Sequence, residues 1–239
     1  MMHRVLTMTK LDFYTMKSAV RLSIILYALC FVIGVATKLP EFTLALAMFM
    51  TMFIGGTVFG NQESGHGDVL YAILPIRKSE MVAGRFIYSL IVGVAGAIIA
   101  TVLCYLGDWI RNAGLSTWIY IAVISVTFAY YCFATAIMYP IYYRFGFSKS
   151  YIFTMLPLYL IALAALLVVK KVNMPTIMSD FKNWFSRYES YAPLMGLVIG
   201  LVFLVIGALV SYAICRHQES SLGGTEARSV LPLSRFGIK

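Results

Sequence analysis

The chain carries little charge for its length. Only 12% of its 239 residues are charged, whereas 61% are hydrophobic, and soluble domains usually contain about 25% charged residues. An ordinary soluble domain is therefore excluded. Because a bilayer core about 30 Å thick needs roughly 20 apolar residues per helical crossing, long apolar runs predict membrane spans. Six runs meet that length: about 18–38, 41–60, 84–106, 117–139, 150–169 and 192–214.

Motifs for catalysis and for nucleotide binding are absent from the sequence. It has no G-x-x-x-x-G-K-[ST] loop, no H-E-x-x-H and no G-x-S-x-G. The histidines, His3, His66 and His217, lie outside the spans, which excludes a bis-histidine haem within the membrane. Glu63, His66 and Asp68 are close in sequence, but their spacing fits no standard metal site. We predict no catalytic residue, no metal and no cofactor on this chain.

Charged residues are not found deep within any predicted span. Ion- and proton-coupled transporters normally need such intramembrane charges, so the sequence disfavours a secondary transporter. The cysteines, Cys30, Cys104, Cys132 and Cys215, fall within the spans or at their edges and show no metal-like spacing. We expect them to be buried, unpaired side chains.

The basic residues indicate the orientation of the chain. Most of the 19 lysine and arginine residues flank the spans on the side that holds both termini, and the positive-inside rule assigns that side to the cytosol. The net charge of +9 is spread along these flanks instead of forming a stripe, so no nucleic-acid partner is predicted. We expect one membrane domain over residues 18–215, an interfacial helix over 1–17 and a cytosolic tail over 216–239.

The longest outer connection, residues 170–191, has the periodicity of a helix. Apolar residues recur at steps of three and four from Met174 to Tyr188, and polar residues occupy the opposite face. This pattern predicts an extracellular amphipathic helix, which either packs on the ends of the spans or covers a pathway. The predicted fold is thus all-α: a polytopic membrane protein with six transmembrane helices, an N-terminal interfacial helix and this outer helix.

Two sets of residues within the predicted spans have patterns that indicate a role. The first has the small-residue spacing that lets helix backbones approach closely, and it consists of Gly93, Ala97, Gly196 and Gly200. The second lies near one face of the fourth span, where an amphipathic substrate could slide, and it consists of Phe128, Tyr131, Thr135 and Tyr142. Aromatic residues in membrane helices more often face lipid or the core, and that alternative stays open.

The polar segment 61–85, between the second and third spans, has the most specific pattern. Asp68 can cap a short helix over residues 69–74, whose apolar residues share one face. Pro75 ends that helix, and the basic pair Arg77 and Lys78 follows. Such a helix, tied to two spans, would transmit a push from a soluble partner into the membrane. The alternative is a solvated interfacial loop.

The pattern E-x-x-x-x-D…Y-x-x-L-P-I-x-[RK]-x-x-x-V-x-x-R, from Glu63 to Arg85, resembles the first cytoplasmic loop of type-2 ABC transporter permeases. It is most similar to the small six-span branch associated with peptide and bacteriocin export or immunity. Residues 10–14, KLDFY, also resemble the N-terminal helix of that branch. The resemblance implies a bacterial plasma-membrane permease, working as a homodimer or heterodimer, with a separate ATPase subunit that binds ATP and Mg.

The resemblance also implies that the short cytosolic helix docks into a groove of the ATPase. The coupling residues that it assigns are Glu63, Asp68, Leu70, Ile73, Leu74, Pro75, Arg77 and Lys78.

The leading hypothesis is the membrane subunit of an exporter for an amphipathic or hydrophobic substrate, peptides included. One alternative is a membrane-embedded enzyme acting on lipid, for which only scattered Ser, Thr and Tyr side chains are available. Another is a non-transporting sensor or assembly protein that binds peptides through its outer helix. The sequence leaves open the substrate, an export or an immunity role, and the choice between homodimer and heterodimer.

Overall fold

The computed structural model of the protein describes residues 2–37, 40–64, 78–112, 114–152 and 191–229. All regular structure within these ranges is helical. The helices are α1 (Met2–Thr15), α2 (Lys17–Thr37), α3 (Pro40–Ser64), α4 (Lys78–Arg111), α5 (Thr117–Phe145) and α6 (Ala192–Ser229). Residues 147–152 begin a further helix directly after α5.

Five of these helices are long and apolar enough to cross a membrane. Their apolar stretches are Val20–Thr37, Phe42–Glu63, Ser79–Arg111, Tyr120–Phe145 and Pro193–His217. They correspond to the first four predicted spans and to the sixth, so the prediction of a polytopic helical membrane protein is confirmed. The fifth predicted span, apart from residues 150–152, lies outside the described residues. So does the predicted outer helix, apart from Tyr191.

Helix α4 is longer than the span that hydropathy predicted. Its 34 residues extend over about 50 Å at 1.5 Å per residue, so it starts before residue 84 and continues past residue 106. Glu80 in the first turn and Arg111 in the last turn suit the helix dipole. The helix ends at Arg111, and Asn112 directly after it has a φ of 51°. Asp108 stabilises the turn between α4 and α5, because its carboxylate accepts a hydrogen bond from the Tyr120 hydroxyl at 2.8 Å.

The core lies around α3, α4 and α5. The apolar stretch of α3 is 61% buried, against 11% for α2, so α3 is a central helix and α2 a peripheral one. Gly93 of α4 faces α5, where an added Cβ would lie 2.5 Å from Cε1 of Tyr131. Ala97, one turn further along α4, belongs to the same buried core.

Helix α6 packs along α5 in the same direction. A Cβ added at Gly196 would lie 2.4 Å from the hydroxyl oxygen of Ser125, and one added at Gly200 would lie 3.0 Å from Cα of Ala129. These close approaches require residues without side chains. Gly93, Gly196 and Gly200 of the predicted packing set therefore lie at helix contacts within one chain, and Ala97 is buried in the core. Whether they also serve contacts between subunits stays a prediction.

Helix α1 is a separate element that packs against the beginning of α4. The Thr9 hydroxyl donates to the carbonyl oxygen of Gly84 at 3.1 Å, and Met8 and Asp12 are buried on the same face. The opposite face is exposed and carries Leu6, Lys10 and Tyr14, and the partly exposed Phe13 at its edge contacts the Tyr88 ring of α4. This apolar and basic face suits a headgroup layer, and the interfacial position of residues 1–17 stays a prediction.

The helices of the bundle define two ends. We call the inner end the one where α3 and α5 finish and α4 begins, and the outer end the opposite one. All four cysteines lie between these ends, buried and free of disulfides.

Candidate functional site

The predicted coupling residues fall mostly outside the described part of the chain. Residues 65–77 are not described, and they contain Asp68, Leu70, Ile73, Leu74, Pro75 and Arg77. Glu63 lies in the last turn of α3, and Lys78 is the first residue of α4. The structure therefore shows what holds the helices on either side of the predicted coupling segment, and Gln62 of the first contacts Arg85 of the second.

The last turn of α3 contacts three other parts of the protein. We call residues 60–63, with the contacts they make, the α3 junction. The Asn61 amide donates to the carbonyl oxygen of Thr15, at the end of α1, at 3.1 Å. Gln62 accepts from Arg85 of α4, and Glu63 binds the helix that follows α5. Successive residues of a helix point about 100° apart, so one turn can reach several neighbours.

Gly60 provides the fourth contact of the α3 junction. A Cβ at this position would lie 2.8 Å from Cε1 of Phe147, so the absence of a side chain lets the Phe147 ring lie against α3. The same ring lies 5.2 Å from that of Tyr142 and 5.0 Å from that of Tyr151, measured between ring centres. The Phe147 ring thus packs against Gly60 of α3, Tyr142 of α5 and Tyr151 of its own helix.

The guanidinium group of Arg85 lies between α3 and α5. Besides its hydrogen bond to Gln62, its Cζ lies 4.4 Å from the ring centre of Phe59 and 5.5 Å from that of Tyr143. The side chain is only 2% exposed. Contacts with aromatic faces and a charged hydrogen bond offset part of the cost of burying a cation. Arg85 therefore joins α3, α4 and α5.

Sequence reasoning missed a group of buried charges at the inner end. Asp12, Glu80 and Arg85 are each 3% exposed or less. Helix α4 begins at Lys78, before the predicted span, and α1 covers its first turns. Glu80 therefore lies in a packed helix instead of the polar loop that hydropathy indicates. Arg85, the last residue of the sequence motif, was the one sequence feature that could have indicated this group.

The carboxylate of Glu63 caps the helix that starts after α5. Its Oε2 accepts from the Ser148 backbone N–H at 2.8 Å, and the carboxylate also interacts with the Ser148 hydroxyl and the Phe147 N–H. These are N–H groups of a first helical turn, which have no partner within their own helix. The chain turns sharply just before them at Gly146, with a φ of 80° and a ψ of 162°.

The residues predicted to line a substrate path are buried in the bundle. Tyr131 is 1% exposed, and its hydroxyl lies 2.9 Å from that of Ser89. Thr135 donates to the carbonyl oxygen of Tyr131, and Phe128 stacks on the Tyr131 ring. Tyr142 is likewise buried, among the rings at the inner end. In this conformation the set belongs to the packed core, and its contact with substrate stays a prediction.

An apolar cavity lies close to the α3 junction. It has a volume of about 420 Å³ and opens between α2, α3 and residues 147–152. Leu26, Phe53 and Ile54 line its apolar part, Thr57 adds a hydroxyl group, and Phe147 closes one side. The ring that contacts Gly60 is therefore also a wall of this cavity.

Comparison with known proteins identifies the family of the chain. Residues 7–216 match the family model described as "ABC-2 family transporter protein". No curated protein and no solved structure matches the chain. The matched region extends from α1 through the apolar part of α6, and so it includes the α3 junction and the segment between α3 and α4. The chain therefore belongs to the ABC-2 transporter family, as a membrane subunit of an ABC transporter.

Proposed function

We propose that the chain is the permease of an ABC exporter that moves an amphipathic or hydrophobic substrate, peptides included. A separate ATPase subunit, which binds ATP and Mg, would drive it by acting on the segment between α3 and α4. The observation that carries this proposal is the α3 junction. A displacement of the segment after Ser64 reaches α1, α4 and the helix after α5 through single contacts.

Two physical properties make the α3 junction suitable for coupling. Side chains in protein interiors are packed so closely that a helix that moves must also move the helices it contacts. The junction also joins both ends of the coupling segment, because Gln62 precedes that segment and Arg85 follows it. A push on residues 64–78 would therefore tilt the inner ends of α3 and α4 together instead of separating them.

The charges at the inner end support a cytosolic position. Arg144, Lys149 and Arg216 are exposed there, as the positive-inside rule expects of a cytosolic face. An ATPase would approach from that side, and both termini would lie on it. In this proposal the protein resides in a bacterial plasma membrane.

The cavity beside Phe147 supports the proposed substrate class. Its walls are mainly apolar, and Ser23 and Thr57 add two hydroxyl groups, so it suits a molecule with apolar and polar parts. A second permease, identical or different, would complete the transporter. The exposed apolar faces of α2 and α6 are available to it or to lipid.

The proposal is tested by purifying the tagged chain from membranes and identifying what accompanies it. We expect a P-loop ATPase to co-purify. The triple variant Leu70→Ala, Leu74→Ala, Arg77→Ala is expected to reduce both co-purification and ATP hydrolysis at least tenfold, since the docking face is lost. A matched triple alanine variant of Val94, Ile98 and Val102, which are exposed on α4 outside the faces available to a second permease, should keep both.

Unchanged assembly and unchanged hydrolysis in the first triple variant would contradict the proposed docking site. Transport into inside-out vesicles separates a permease from a sensor. A permease accumulates substrate only with ATP, whereas accumulation that does not depend on ATP would contradict the exporter assignment.

A further inference from the structure

We propose that Glu63 is a positioning residue that connects the ATPase-facing segment to the helix beginning at Phe147, with Gly146 as the hinge. This inference rests on the proposed function and adds the route by which movement passes from α3 to the region after α5. Three observations carry it: the cap that Glu63 forms, the backbone at Gly146, and the exposure of the contact.

The cap comes from a distant part of the chain. A helix normally begins with a local Ser, Thr, Asp or Asn whose side chain accepts from the first N–H groups. Position 146 is a glycine and offers no such side chain. The Glu63 carboxylate takes that role, accepting from Ser148 and interacting with the Phe147 N–H. The start of this helix is therefore held by the end of α3.

The hinge lies directly under that cap. Gly146 has a φ of 80°, in the region that favours glycine, and its N–H donates to the Tyr142 carbonyl oxygen at 3.0 Å to end α5. A Cβ at this position would lie only 3.8 Å from Glu63 Oε1, so the carboxylate lies over the glycine. A rotation at one residue can change the angle between α5 and the next helix.

The contact between Glu63 and Ser148 can break and re-form. Glu63 and Ser148 are both exposed, so water can replace either partner. Arg85 and Phe59 are buried instead, and the hydrogen bond from Arg85 to Gln62 is partly buried, so water has less access to the contact that holds α3 to α4. Of the two charged contacts at the α3 junction, the one made by Glu63 can therefore respond to a partner that moves α3.

The consequence of this movement is a change in the cavity. Phe147 and Tyr151 lie on the helix that Glu63 caps, and both line the cavity between α2 and α3. Release of the cap would let the helix pivot at Gly146 and withdraw these rings. Glu63 thereby sets the width of the cavity according to the state of the ATPase.

The first experiment measures hydrogen exchange of residues 147–152 in the purified chain in lipid nanodiscs. Glu63→Ala is expected to raise the exchange rate about tenfold, because a charge-assisted bond is lost. Glu63→Gln keeps an acceptor oxygen and should raise it only about threefold. Asn61→Ala removes the neighbouring contact with α1 and should leave these amides unchanged. Wild-type exchange in Glu63→Ala would overturn the inference.

The second experiment repeats the measurement on the complex with the co-purified P-loop ATPase, with and without Mg-ATP and orthovanadate. In the wild type, nucleotide should change exchange both at residues 61–64 and at 147–152. Glu63→Ala should keep the first response and lose the second, and Glu63→Gln should restore part of it. If the cap had only a structural role, its loss in Glu63→Ala would not abolish the response of residues 147–152 to nucleotide.

The two possible failures are distinguishable. If the response at 147–152 persists in Glu63→Ala, or is absent in the wild type while residues 61–64 respond, the route through Glu63 is wrong and the docking of the ATPase stands. If residues 61–64 do not respond in the wild type, the proposed function itself is wrong.

Discussion

Polar contacts join the helices both in the middle of the bundle and at its inner end, but the groups involved differ. In the middle they are neutral and buried. The Tyr131 hydroxyl donates to the carbonyl oxygen of Ser89 at 2.7 Å, and that of Tyr139 donates to the carbonyl oxygen of Gly55 at 3.1 Å. Each links a side chain of α5 to the backbone of a neighbouring helix.

At the inner end the polar contacts of the α3 junction involve charged groups or groups that reach water. Arg85 is buried between aromatic rings, whereas Glu63 is exposed. The strength of an exposed charged contact depends on salt and on nearby partners, whereas a shielded neutral contact depends mainly on packing. The middle of the bundle therefore maintains the fold, and the inner end is where a partner can alter it.

The strongest test of this comparison disrupts the middle of the bundle. Gly93→Leu places side-chain atoms where the Tyr131 ring lies, because even a Cβ would come within 2.5 Å of Cε1. Such overpacking costs about 3 kcal/mol, which should lower the melting temperature by about 6 °C or more. A thiol-reactive dye can follow unfolding in detergent, because all four cysteines are buried and free.

The control for this variant is Val94→Leu, which enlarges the adjacent, exposed position on the same helix. It should leave the melting temperature unchanged. Equal melting temperatures for Gly93→Leu and the wild type would contradict the close contact between α4 and α5.

An intermediate effect is expected at the buried part of the inner end. Arg85→Ala removes the hydrogen bond to Gln62 and the contacts with Phe59 and Tyr143. Loss of a hydrogen bond to a charged group costs about 2 kcal/mol, so the melting temperature should fall by about 4 °C. Arg85→Lys keeps the charge but lacks the planar donor group, and we expect about half of that decrease.

If Arg85→Ala melted like the wild type, the inner end would contribute nothing to the stability of the fold. The distinction between a stabilising, buried contact at Arg85 and a releasable, exposed one at Glu63 would then be wrong. A decrease as large as that of Gly93→Leu would instead mean that the inner end maintains the fold as much as the middle does.

The spans and the family could be predicted from the sequence, because both depend on local patterns. Hydropathy identified five apolar helices that the structure describes, and the pattern from Glu63 to Arg85 indicated the family to which the chain belongs. The small residues Gly93 and Gly200 were also recognisable from their spacing. Each of these signals is contained within one helix or one loop.

The α3 junction could not be predicted in the same way. The burial of Arg85 depends on Phe59 and Tyr143, which belong to two other helices, and the cap by Glu63 acts on Ser148, far along the chain. Hydropathy also places the start of the third span at residue 84, because the charged Lys78 and Glu80 precede it. Tertiary contacts decide the exposure of such charges, and a single sequence does not contain them.

The smallest expected effect tests one neutral hydrogen bond in the middle of the bundle. Tyr131→Phe removes the donor to the Ser89 carbonyl oxygen and the contact with the Ser89 hydroxyl, whereas Ser89→Ala removes only the second. We expect a cost of about 1 kcal/mol for the first variant and less for the other. In a double-mutant cycle the coupling energy should be smaller than the cost of Tyr131→Phe, because the bond to the backbone survives in Ser89→Ala. A coupling energy equal to that full cost would show that the hydroxyl pair, not the backbone bond, joins α4 to α5.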